Sequence, residues 1–191
     1  MTEPRIRAIT PADVPAVVGM VHDLAAYERA PDECHLTDEQ LHTALFAVSP
    51  ALFGHVAVDP EIDPTGAPVG FTLWFLNYST WRGVHGIYLE DLYVRPEARG
   101  SGLGRELLAT LARTCVDRGY ARLDWWVLNW NTPARDVYHA LGGRAMDEWI
   151  PYRLDGGALL DLASEVPAAV PGAATVGHGP ATGSPSTPLP S

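Results

Sequence analysis

The segment Arg95–Leu108, RPEARGSGLGRELL, places glycines at every second position, 100, 102 and 104, directly before a leucine-striped helix. Glycine so close to a helix start weakens the local backbone, because it loses more conformational freedom on ordering than any other residue. What it permits is close approach. Loop amides and the partial positive charge of a helix N-terminus together make an anion site, with phosphate the natural occupant. Arg99 and Arg105 flank the loop and can add charge-assisted contacts. An ordinary connection capped by glycine is the competing reading. Two familiar phosphate motifs are excluded. A P-loop needs GxxxxGK[ST], and no lysine follows these glycines; a dinucleotide fingerprint needs GxGxxG, and Arg105 stands where its last glycine belongs.

The elements that must position this loop alternate along the chain. IRAIT reads as a short strand, after which Thr10 caps a helix beginning at Pro11, with Val14, Val17, Val18, Val21, Leu24 and Ala25 on one face. LTDEQLHTALF is a second helix, with Thr37 as N-cap and Gln40 completing a capping box. FGHVAVD, VGFTLWFLNYS and VHGIYLEDLYV are strands rich in β-branched and aromatic residues. After the glycine loop a helix is expected over Gly102–Arg118, buried through Leu103, Leu107, Leu108, Leu111 and Cys115 and ended by Gly119. ARLDWWVL is a further strand, and TPARDVYHALGG a helix with Thr132 as N-cap and Gly142 at its end. AMDEWIPYRL reads as one or two closing strands. The expected class is α/β (α+β), a sheet layered by helices.

Composition limits the possible functions. The 191 residues suit one domain, placed here at residues 1–165. The remaining Val166–Ser191 stretch, without a charge or an aromatic and dense in Pro, Gly and Ala, is expected to be a disordered tail. A net charge of −10 argues against nucleic acid and is compatible with a cationic small substrate. The two cysteines, Cys34 and Cys115, lie far apart and read as free thiols of a reducing compartment. No histidine or cysteine cluster has metal-ligand spacing, so no metal is expected. The N-terminus lacks an apolar signal segment and no apolar run reaches 18 residues, so the expected location is cytoplasmic, away from membranes.

The pattern that fits the loop is R-x-x-G-x-G at Arg99, Gly102 and Gly104, between a strand ending LEDLYVRPEA and a leucine-striped helix. It resembles the acetyl-CoA signature of the GNAT N-acetyltransferase superfamily. LAAYE at Leu24–Glu28, LEDLYV at Leu89–Val94 and LNWNTPARDVYHALGG at Leu128–Gly143 resemble its diamine acetyltransferase branch, which contains the spermidine/spermine and thialysine acetyltransferases. The resemblance covers about Arg5–Ala163. It implies the GNAT fold: a mixed, mostly antiparallel central sheet flanked by helices on both faces. It also implies acetyl-CoA as donor, a small-molecule amine as acceptor, direct attack in a ternary complex, and a homodimer.

Acetyl transfer requires that the amine lose a proton, that the thioester oxygen be polarised and that the departing thiolate be protonated. A primary amine has a pKa of about 10.4, so at neutral pH a carboxylate is useful both to bind the ammonium and to take its proton. Glu90, mid-strand before the loop, is the expected carboxylate; strand alternation would send Asp91 to the other face unless a bulge intervenes. The resemblance assigns Tyr138 as general acid, a role suited to a phenol protonated at pH 7. It gives the donor to Leu92, Tyr93 and Val94, to the loop residues Arg99, Gly100, Ser101, Gly102, Leu103, Gly104 and Arg105, and to Asn131 and Tyr138. It gives the amine to Tyr27, Glu28, Glu90, Asp124, Trp125 and Trp126, where carboxylates and aromatic faces suit a cation. One of the two adjacent tryptophans is expected in the core. The branch's glutamate-rich segment before Gly-Trp is replaced by MDEWIPYRL, with Asp147 and Glu148 shifted and Tyr152 for tryptophan. A thialysine-like or other small amine acceptor therefore stands beside a polyamine, as do a protein or peptide amine and a non-catalytic acyl-CoA-binding role.

Overall fold

Strands β1 (Ile6–Ala8), β2 (Phe53–Ala57), β3 (Gly70–Ser79), β4 (Val84–Val94) and β5 (Leu123–Trp125) form one sheet in sequence order. The structure is a computed structural model that describes residues 4–167. The first four strands pair antiparallel, while β4 and β5 run parallel. The long central strands β3 and β4 sit where expected, because their β-branched and aromatic residues suit a pleated, largely buried surface. β5 is shorter than ARLDWWVL suggested. Only Leu123, Asp124 and Trp125 pair, opposite Ile87, Tyr88 and Leu89.

Helices cover both faces of the sheet. On one face α1 (Val14–Tyr27) and α2 (Asp38–Phe46) bury Val17, Met20 and Leu41 against Val56, Phe71 and Leu73. On the other, α3 (Leu103–Arg118) buries Leu103 and Leu107 against Ala57, Val69 and Val94. Val56 and Ala57, neighbours on β2, enter different clusters because successive strand side chains point to opposite faces. Each fully buried aliphatic side chain contributes about 1.5–3 kcal/mol, so truncating Leu107 to alanine should cost about 2–5 kcal/mol.

Helix boundaries follow the capping chemistry with small shifts. Pro11–Asp13 form a 3-10 turn before α1, and Thr10 and Asp13 cap each other reciprocally. Thr37 and Gln40 form the expected capping box of α2. α3 starts one residue later than expected, because Gly102 is its N-cap in the left-handed region at φ 88°. Gly119 ends it, also left-handed, at φ 67°. Cys34 and Cys115 are both free thiols.

The described residues divide into two compact units, one through Trp126 and one from Val127. The second contains α4 (Thr132–Ala140) and α5 (Gly156–Ser164), neither of which buries a residue. The closing strands expected over AMDEWIPYRL do not form among the described residues. Its β-type side chains Trp149, Ile150 and Tyr152 stand exposed around Pro151, which has no N–H to give to a ladder. α5 was not expected; Asp155 at its N-cap and the leucines at 159, 160 and 162 are its sequence signal. Of the expected tail, residues 168–191 lie outside the described residues.

Candidate active site

The glycine loop is built as an open cradle. Gly100 and Gly102 have φ of 81° and 88°, which a side chain would strain, and a Cβ on Gly100 would meet nothing within 4 Å. No side chain caps the N-terminus of α3; the first helical bond runs from the Glu106 amide to the Gly102 carbonyl. The amides of Leu103, Gly104 and Arg105 therefore stand at the positive end of a 16-residue helix. Ser101 is held by its hydroxyl, which donates to the Ala98 carbonyl at 2.6 Å. Arg105 is exposed in the first turn. Arg99 turns back instead: its Nε donates to the Val94 carbonyl at 3.0 Å, and its guanidinium lies 5.3 Å from the Tyr27 ring centroid and 5.5 Å from that of Tyr93.

Upstream of the loop, β4 changes its partners at Glu90. Leu89 pairs with Trp74 and Asp91 with Leu73, so Glu90 is the extra residue of a β-bulge. Pairing with β5 ends at Leu89, whereas pairing with β3 continues to Val94. Among the described residues, the β4 edge over Leu92, Tyr93 and Val94 thus has no strand partner on the β5 side. An extended ligand arm can hydrogen-bond there as a strand would.

The bulge also corrects the expectation that Asp91 faces away from the site. Alternation is suspended at Glu90, and Asp91 shares the register of Leu73, on the face that α1 covers. Glu90 is exposed and Asp91 is half-buried. The Asp91 carboxyl is pushed up to about 7, mainly by burial and then by the negative charges of Glu90 and Glu28. Glu28, at the C-cap of α1, is itself raised by desolvation. A carboxyl that titrates near neutrality beside two other carboxylates is suited to accept a proton from an ammonium it also attracts.

The other expected acceptor residues are more dispersed. Asp124 is already engaged, accepting from Asn77 Nδ2 at 2.9 Å and pairing with Arg122 Nε at 2.7 Å. Neither tryptophan is core: Trp125 is half-buried, and Trp126 is exposed with its ring edge-on to Tyr88 at 6.0 Å. β5 is too short and too close to the sheet edge to bury either one.

In the second unit, Asn131 rather than Thr132 is the N-cap of α4, and its side-chain oxygen accepts from the Ala134 amide at 3.4 Å. Thr132 and Pro133 are the first two helical residues. Tyr138 is half-buried on α4, one turn before the left-handed Gly142 that closes the helix. No group of three or more potential metal ligands occurs among the described residues.

The acetyltransferase (GNAT) family model matches residues 18–142, from mid-α1 through the end of α4. The chain belongs to the GNAT acetyltransferase family. This N-acetyltransferase is 35% identical over 168 residues to the thialysine N-epsilon-acetyltransferase of Bos taurus, spanning 84% of the chain and 97% of the relative. It is 30% identical to the L-ornithine N5-acetyltransferase of Arabidopsis thaliana, over 81% and 86% of the two chains. Among solved structures, an integron cassette protein of V. cholerae superposes with a TM-score of 0.68 at 25% identity, over 83% of this chain and 96% of that one.

Two residues at the candidate site escape a reading of motifs. Asp91 is hidden by the alternation rule; the available signal is a pair of adjacent carboxylates in a largely apolar strand. Arg5 lies 96 residues before Ser101 in sequence, yet it donates to that residue's carbonyl at 3.2 Å. No local pattern announces such a contact.

Proposed function

We propose that the chain transfers the acetyl group of acetyl-CoA to a primary amine of a small cationic acceptor, a thialysine-like amino acid or a diamine, by direct attack in a ternary complex. The observation that carries this reading is the arrangement along β4. Carboxylates gather at the bulge, the unpaired edge follows it, and the glycine cradle comes next in the same unit. The names of the thialysine and ornithine relatives support the acceptor class.

The residues present fit the donor. The amides of Gly100–Arg105 suit its pyrophosphate and the Leu92–Val94 edge suits its pantetheine arm; the family resemblance adds Asn131 to that arm. Glu28, Glu90 and Asp91 bind the acceptor ammonium, and a carboxylate takes its proton. The freed nitrogen attacks the thioester carbonyl carbon, the C–N bond forms as the C–S bond breaks, and Tyr138 protonates the sulfur. The nitrogen gives up two protons, one to the carboxylate before attack and one as the amide forms; one restores the phenol that protonated the sulfur, and the other leaves to water from the carboxyl. A backbone N–H of the Leu92–Val94 edge stabilises the carbonyl oxygen in this reading.

A homodimer belongs to the same reading, supported by the exposed apolar side chains Trp149, Ile150 and Leu160 of the second unit. Sedimentation at two concentrations tests it; a monomer at both would remove it.

Release of free coenzyme A, screened over thialysine, ornithine, lysine, diamines and spermidine, tests the acceptor. Stimulation by one of these amines is expected. If acetyl-CoA binds and none of them stimulates release, the small-amine reading is wrong.

A further inference from the structure

Arg5 joins three segments that are distant in sequence. It stands immediately before β1, its carbonyl accepting from the Val58 amide at 2.8 Å. Its Nη1 donates to Asp59 at 2.8 Å, and its Nη2 donates to the Ser101 carbonyl at 3.2 Å. Nε and Nη2 together grip the Glu106 carboxylate in the first turn of α3. A planar guanidinium with five donors can make this fork; a lysine cannot.

The electrostatics explain why the contact matters at this position. An acidic residue in the first turn stabilises the bare helix. The same carboxylate opposes an anion approaching that N-terminus. Arg5, shared with Asp59, offsets part of the Glu106 charge at hydrogen-bond distance and, through the Ser101 carbonyl, holds that peptide oxygen turned toward itself. The oxygen so held sits between the left-handed Gly100 and Gly102 and is committed to the guanidinium. Arg5 Nε, Nη1 and Nη2 all donate to Asp59, Ser101 or Glu106, so the side chain shapes the cradle.

We propose that Arg5 is a positioning residue for the donor's phosphates: it locks the Ser101 peptide and offsets part of the Glu106 charge, so that the loop presents amides to a pyrophosphate. This rests on the reading of the glycine loop as a pyrophosphate cradle. The effect is confined to the part of the donor that carries phosphate.

The test compares acetyl-CoA with acetyl-pantetheine, which carries the same thioester without the pyrophosphate, in the wild-type chain and in Arg5→Met. Arg5→Met is expected to raise the KM for acetyl-CoA about tenfold, as the loss of one charge-assisted contact would, with kcat nearly unchanged. Turnover of acetyl-pantetheine should stay at its wild-type value. Equal losses with both donors would show a general structural role and overturn the proposal, as would no change with either. If the wild-type chain itself does not favour acetyl-CoA over acetyl-pantetheine, the pyrophosphate reading of the loop fails and the role of Arg5 falls with it. Should Arg5→Met not fold, Arg5→Lys is read in the same way. It keeps the cation but loses the fork, and a smaller KM rise confined to acetyl-CoA is expected.

Discussion

The guanidinium of Arg99 lies over the ring of Tyr27, 5.3 Å from its centroid. Arg99 opens the glycine loop and Tyr27 ends α1, so one cation–π contact joins the proposed donor cradle to the proposed acceptor side. Nε of the same arginine is anchored on the Val94 carbonyl. Arg99→Met removes both contacts, with a cation–π loss of about 0.5–2 kcal/mol. We expect the KM values for donor and acceptor to rise together, each by roughly three- to tenfold. Two-substrate kinetics decide this; a rise confined to the donor would separate the two sides.

Asp91 should make activity rise with pH through about 7, where its carboxyl loses its proton. Asp91→Asn is expected to abolish that limb of the kcat/KM profile and to lower the rate by roughly 10²-fold or more. The profile should survive in Asp38→Asn, a substitution on α2. An unchanged limb in Asp91→Asn would assign the titration to another group.

The same carboxyl costs stability. Its folded value lies above the unfolded value of 3.8, so the folded chain holds the proton more tightly. Asp91 is therefore harmless below about pH 4 and penalises the fold increasingly as pH rises toward 7. Asp91→Asn should raise the melting temperature at pH 8, with the gain shrinking as pH falls toward 4. A stabilised but inactive variant is the expected signature of a functional carboxylate.

Asp13 should behave in the opposite sense. Burial works against its ionisation, but hydrogen bonds from Arg7 and Thr10 prevail and hold it down at about 2. Folded below unfolded means that its contribution is present above pH 3.8 and is lost as pH falls through about 2. Asp13→Asn is expected to cost about 2 kcal/mol at neutral pH and progressively less in acid. Denaturant titration at pH 7 and pH 3 measures the difference.

Tyr138→Phe removes the phenolic hydroxyl and keeps the ring. It should lower kcat by about 10²- to 10⁴-fold while leaving acetyl-CoA affinity within about twofold. Calorimetric titration of the variant with acetyl-CoA, set beside its turnover, separates the two quantities. Unchanged turnover would take Tyr138 out of the mechanism.

What the sequence determined by itself is local chemistry. Alternating glycines before a leucine stripe mark a loop whose backbone allows close approach, and Gly102 and Gly119 both take the left-handed conformation that only glycine adopts without strain. Thr37 with Gln40 fixes the start of α2, and the apolar runs of β3 and β4 fix the sheet centre. These signals are short-range, since caps, turns and periodicity act within a few residues. The tertiary structure decided what depends on a partner strand or a distant element. The bulge at Glu90 exists only in the register against Leu73 and Trp74, and it is this register that turns Asp91 toward α1 and Glu28. Pairing decided equally that β5 would stop at Trp125 and that no strand would form around Pro151. Arg5 reaches Ser101 and Glu106 because β1 and α3 meet in the fold. Burial and cross-strand register are properties of the whole sheet, and no window of residues contains them.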